Sequence, residues 1–184
     1  MIKKKNKMIK SDLQAQIWVE TAIYTLIGLT LISIILSVAI PQVQKIKDRS
    51  IITQTSESLI RLNNEILEVS DVAGNIRIFY FSFDKGTLLI DSTNDHITYT
   101  LENTNYKFSE PGQAIPYGDI VYKTELHGKK YIVTLDIDYS KVVDITFKKT
   151  SENKLLHPGV YKIKMENVGD NPADQKIHLD FDLV

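Results

Sequence analysis

Glu20 is the first residue in this sequence positioned to do chemistry. It is the sole charge between Asp12 and Lys45, and the stretch from Thr21 to Gln44 that follows it carries none. A carboxylate at the centre of a membrane helix costs on the order of 2.5–3.5 kcal/mol, and less toward an end, so such a group ordinarily has a partner. The other candidate residues lack any comparable setting. His96, His127, His157 and His178 have no ligand-like spacing and fall on predicted strands or turns, which argues against a metal role. Asp136, Asp138 and Asp144 suggest a calcium cluster, but strand alternation accounts for them as solvent-facing positions. Asp170, Asn171 and Asp174, with Pro172 among them, read as a polar turn. The sequence contains no phosphate-binding glycine loop, no nucleophile elbow, no plausible acid/base pair and no cysteine. The expectation is a protein with no catalytic, cofactor or metal site, and not an enzyme.

The elements around Glu20 set its environment. Thr21 to Ile40 reads TAIYTLIGLTLISIILSVAI, close to the roughly 20 apolar residues that span a bilayer as a helix. Lys3, Lys4, Lys5, Lys7 and Lys10 precede this run and face only Asp12. An excess of lysine beside a span marks the cytoplasmic side, so the C-terminal region is expected outside, with membrane lipid around residues 16–44. A cleaved secretory signal also has a basic start and a small-x-small exit, here Ser37-Val38-Ala39, but its apolar core is shorter, about 7–15 residues. A plain single-pass anchor fits the length, but neither alternative accounts for Glu20. Trp18 and Tyr24 suit an interfacial anchoring or helix-packing role, and Gly28, Thr30, Ser33 and Ser37 are small enough to let helices approach closely. Beyond Lys45 the balance is mildly acidic with no basic stripe, which argues against nucleic-acid binding.

Pro41 withholds a backbone donor and crowds the preceding turn, which predicts a kink or local melting there. Ile52, Leu59, Leu62, Ile66 and Val69 recur at spacings of three, four or seven and mark one face of an amphipathic helix over 45–71, expected to pack on the domain that follows. Gly74 is placed to terminate it. A helix from about Ile17 to Ser70 would reach roughly 80 Å. The remainder reads as strands. Tyr131, Val133, Leu135, Ile137 and Tyr139 alternate with polar residues, as do Tyr161, Ile163 and Met165, and Ile177, Leu179, Phe181 and Leu183. Each strand is expected to have a dry and a wet face. Short turns without crossover helices predict an antiparallel β-sandwich or barrel over 72–184, hence an α+β fold with a long N-terminal hydrophobic helix kinked near Pro41.

The segment Leu13-Gln14-Ala15-Gln16-Ile17-Trp18-Val19-Glu20-Thr21 resembles the class III signal of type IV pilins and archaellins: a basic leader, a small residue at the cut, a glutamate fifth in the mature chain, then an apolar helix. QIWVETAIYTLIGL looks archaeal rather than bacterial, although archaeal leaders commonly end in Lys or Arg then Gly, where this chain has Gln14 and Ala15. GVYKIKMENVG, Gly159 to Gly169, is similar to the β domains of the same family. The resemblance implies that residues 1–15 are a leader removed by a prepilin peptidase between Ala15 and Gln16. It implies that Glu20 meets the freed α-amino group of a neighbouring subunit. It also implies a homo-oligomer, or a mixture with related pilins, built into an extracellular filament by an assembly ATPase and a membrane platform protein. The competing expectation is a membrane-anchored extracellular binding module that never polymerises.

Overall fold

The structure is a computed structural model; it describes the backbone of residues 2–171 and 175–184, and the side chains of 16–170 and 175–184. One helix, α1 (Ile2–Ser70), precedes ten strands: β1 (Ile76–Phe83), β2 (Thr87–Asp91), β3 (His96–Thr104), β4 (Ala114–Tyr117), β5 (Ile120–His127), β6 (Lys130–Asp138), β7 (Val143–Phe147), β8 (Lys154–Leu156), β9 (Gly159–Asn171) and β10 (Lys176–Leu183). The chain divides into two compact units, Met1–Gln44 and Lys45–Val184. The fold is α+β, and the second unit is sandwich-like.

In that second unit the strands form a four-stranded sheet in the order β1-β9-β10-β7 and a six-stranded sheet in the order β4-β5-β6-β3-β2-β8. The amphipathic part of α1 supplies Ile52, Leu59, Leu62, Ile66 and Val69 to the core, each no more than 1% exposed, as the three-four spacing requires. They join Phe81, Ile163, Met165, Leu179 and Phe181 from the smaller sheet and Leu88, Ile97, Tyr99, Val133 and Leu135 from the larger in one cluster. Non-directional burial does not fix how the helix lies; polar contacts add that. The Asn63 amide donates to Asp119 (2.8 Å) and its oxygen accepts from the Tyr139 hydroxyl (2.7 Å), while Ser56 bonds the Tyr122 hydroxyl. Burial pushes the Tyr139 phenol well above its ordinary range.

The helix ends where the sequence places its stop. Gly74 takes a left-handed conformation, φ +81°, which only glycine adopts without a steric penalty. The Asn167 amide on β9 donates to the carbonyls of Val69 (3.1 Å) and Ser70 (3.0 Å), two of the acceptors a helix C-terminus leaves open. Asp95, between β2 and β3, joins the two sheets: it accepts from the Ile145 N–H (2.9 Å) on β7 and from Lys176 (2.8 Å) on β10.

Four details depart from the sequence reading. Of the kink or local melting expected at Pro41, the structure overturns the melting alone: the backbone stays α-helical there, and the one intrahelical bond that proline removes, to the carbonyl four residues back, lies on an exposed stretch. The β7–β10 pair is parallel, because the chain passes through β8 in the other sheet and β9 before β10 arrives, long enough for a crossover without a helix. Asp180, expected on a wet face, is 6% exposed and accepts from Thr146 Oγ1 (2.9 Å) and the Lys149 N–H (2.5 Å). On β1 the outward residues Ile76, Ile78 and Tyr80 are exposed, so this edge strand is apolar on both faces.

Candidate functional site

The residues singled out for function lie in the first unit. From Gln16 to Gln44 no side chain is buried, and Trp18 reaches 78% exposure. A stretch this long and apolar meets the length and composition needed to cross a membrane, and it lies near the N-terminus. Such exposure in water would be costly, at about 25 cal/mol per Å² of apolar surface, so this surface calls for lipid or protein around it.

The serine and threonine hydroxyls within the stretch are satisfied locally. Thr21, Thr25 and Thr30 each donate their hydroxyl to the carbonyl four residues back, at 2.8 Å, and Ser33 does the same at 2.7 Å. Ser37 donates to the Ile34 carbonyl, also at 2.7 Å. Each hydroxyl proton thus has an acceptor inside its own helix, which is what an apolar surrounding demands. Sequence reading treated Thr30, Ser33 and Ser37 only as small. At about 100° per residue these three share a face, whereas Gly28 lies on nearly the opposite side, beside Thr21 and Thr25. The position Cβ would take at Gly28 has nothing within 4 Å.

Glu20 is exposed and, among the described residues, makes no hydrogen bond or ion pair. Gln16, Val19, Glu20, Ile23 and Tyr24 flank one stretch of the helix surface, so the carboxylate stands among apolar groups, one turn from Gln16. Ala15 lies outside the residues whose side chains are described. Placed this way, Glu20 has acceptor capacity that no described residue takes up.

The remaining candidates are dispersed over the second unit. His96 lies between Asp136 (2.9 Å) and Asp138 (3.5 Å), and Thr98 also donates to Asp136 (2.6 Å). His178 is 3.0 Å from Thr146 Oγ1 and 3.9 Å from Asp144. His127 ends β5, and His157 lies between β8 and β9 with its carbonyl accepting from Tyr161. The Asp138 carboxyl is held below the ordinary range, chiefly by the Ser140 hydroxyl and N–H. Asp136 and Asp138 share His96 while Asp144 faces His178, so the three acids form no single cluster, and among the described residues no group of three His, Asp or Glu has metal-binding geometry. Pro172 and Asp174 lie outside the described residues.

Comparisons with protein-family models, with curated proteins and with solved structures find no match for this chain.

Proposed function

We propose that this chain is a structural subunit of a type IV pilus-like surface filament of the archaeal kind, polymerised through its N-terminal helix. The observation that carries the proposal is Glu20, the single charge in an otherwise uncharged helical stretch with no buried side chain. In this reading the chain enters the membrane with residues 1–15 inside and the β unit outside. A prepilin peptidase then cuts between Ala15 and Gln16 and creates an α-ammonium of pKa about 8. In a poorly hydrated helical array that cation and the Glu20 carboxylate of a neighbouring subunit attract strongly, and removal of either strands a charge. Lipid already covers the apolar helix before assembly, so transfer into a filament gains little from the hydrophobic effect. Packing, the Glu20 pair and an energy-driven machine, an assembly ATPase with a platform protein, are left to drive it.

Mass spectrometry of the natively produced N-terminus separates the readings. The subunit proposal expects a start at Gln16, a plain anchor retains Met1, and a secretory signal leaves a start at Ile40. Glu20→Gln should then abolish filament assembly while leaving membrane insertion and processing intact. An intact N-terminus together with a functional Glu20→Gln variant favours the alternative, a non-polymerising anchored binding module.

A further inference from the structure

We infer that Lys45, Lys47 and Arg49 form a basic collar that binds the anionic headgroups of the lipid around the apolar helix. This rests on reading residues 16–44 as a membrane span, and it is independent of polymerisation.

In the sequence the segment Lys45-Ile46-Lys47-Asp48-Arg49 is a mixed-charge run. The structure sorts it. Asp48 is only 5% exposed: it accepts from Lys85 Nζ (3.1 Å) in the β1–β2 turn and from the Asn105 N–H (2.8 Å) after β3. The acid is thereby withdrawn from the surface and its charge met from within the fold. Lys45, Lys47 and Arg49 remain exposed, and among the described residues none of them has a salt bridge. The Arg49 guanidinium lies 5.9 Å from the Tyr106 ring centroid, a placement that steadies a cation without neutralising it. Of the nearby acids, Glu57 and Asp84 border a depression lined also by Ile51, Gln54, Thr55 and Ser58, and neither forms a salt bridge with the three cations among the described residues.

Depth matches charge. Five helical residues rise about 7.5 Å, the distance from Ile40 at the end of the apolar run to Lys45, and the polar headgroup layer is about 5–7 Å thick on each side of the hydrocarbon. Helical side chains lean toward the helix N-terminus and lysine stems are long, which favours contact of Lys45 and Lys47 with that layer, while Arg49, about 13.5 Å beyond Ile40 and beside Tyr106, is the outermost of the three. The ligand chemistry is a lipid phosphate rather than nucleic acid, because no basic stripe continues along the β unit for a polyanion to follow.

The test uses the full chain in nanodiscs containing equal phosphatidylglycerol and phosphatidylcholine, with native mass spectrometry counting the lipids retained on release. Each Lys or Arg at an anionic surface is worth roughly five-fold in partitioning. The wild-type chain should therefore retain phosphatidylglycerol over phosphatidylcholine by roughly ten-fold or more. The triple variant Lys45→Gln, Lys47→Gln, Arg49→Gln should lose most of that preference, as should the wild type in about 0.5 M salt. A variant with the five N-terminal lysines replaced by Gln corrects for their own lipid binding and should keep the collar's share. Inorganic phosphate added to discs of phosphatidylcholine alone should leave no adduct; an adduct there, lost in the triple variant, means a free-phosphate site and overturns the headgroup assignment. Equal retention by wild type and triple variant overturns the collar alone. Failure of the chain to enter either bilayer overturns the span and the collar with it.

Discussion

Asn167 is 2% exposed, and its amide is committed to two carbonyls at the end of α1, from a strand that begins 89 residues after the helix stops. Removal leaves buried acceptors unmet and opens space, so Asn167→Ala should cost about 2–3 kcal/mol, read as a lower urea midpoint at unchanged slope. Asn167→Asp keeps the shape but has no donor and should cost at least as much. Asp48 makes its case through pH. Burial alone would raise its pKa, but the Asn105 N–H and the Lys85 and Thr104 side chains outweigh burial and hold the carboxyl below its ordinary value. A depressed folded value means that the stability it contributes is full above the unfolded pKa of about 3.9 and is lost as pH falls through the lower folded one. Wild type and Asp48→Asn should therefore differ in unfolding free energy at neutral pH and converge below about pH 4. A difference that persists unchanged into acid means that the Asp48 charge is not what counts. Glu20 was legible because an isolated charge in an uncharged run needs no partner to be noticed. Asp48 and Asn167 were not, because their partners lie 37, 57 and up to 98 residues away and only folding brings them together.

Among the elements, the helical face over 45–70 was readable residue by residue, since a period of 3.6 leaves few alternatives once five apolar positions fall in step. Its energetic weight follows from burial. Leu59→Ala, at a site with 0% exposure, should cost about 2–5 kcal/mol, whereas Leu67→Ala on the same helix, 47% exposed, should lie within about 1 kcal/mol of wild type by chemical unfolding. Similar costs at both would mean that the helix presents a different face. The strands of the hairpins were readable for the same reason, with period two. What escaped was pairing that no local pattern encodes. The parallel contact of β10 with β7 depends on where a connection through two other strands delivers the chain. The wet face expected of β1 fails because IRIFYFSF carries apolar residues at both parities, so alternation gives no direction there. Asp180 fails for the opposite reason: its polarity is met by Thr146 and the Lys149 N–H, so a polar residue sits where an apolar one would serve. Pro41 shows the limit of a local rule, since one missing donor on an exposed stretch is a smaller loss than interrupting the helix around it.

At the scale of the whole molecule, the two units differ in how their apolar residues are covered. Among the described residues Lys45–Val184 contains every residue of the buried core, beginning at Ile52, and its helix is tied to the β region by Asp48, Ser56, Asn63 and Asn167. Residues 16–44 contribute none of that core, and their serine and threonine hydroxyls are satisfied within the helix itself. Among the described residues the buried core of the second unit therefore lies within the second unit's own sequence. The fragment 45–184 should be soluble without detergent, run as a monomer in size exclusion and unfold cooperatively in urea. Leu59→Ala should destabilise the fragment by the same amount as the full chain, because distant sites with no shared partners add. The full chain should remain with membranes or detergent micelles, since its exposed apolar helix has no other cover. Aggregation of the fragment, or a broad non-cooperative transition, would mean that the second unit depends on the first for its core. A folded fragment that cannot assemble, set beside a full chain that loses assembly on Glu20→Gln, would locate polymerisation in residues 16–44 and leave the β unit as the surface that a filament displays.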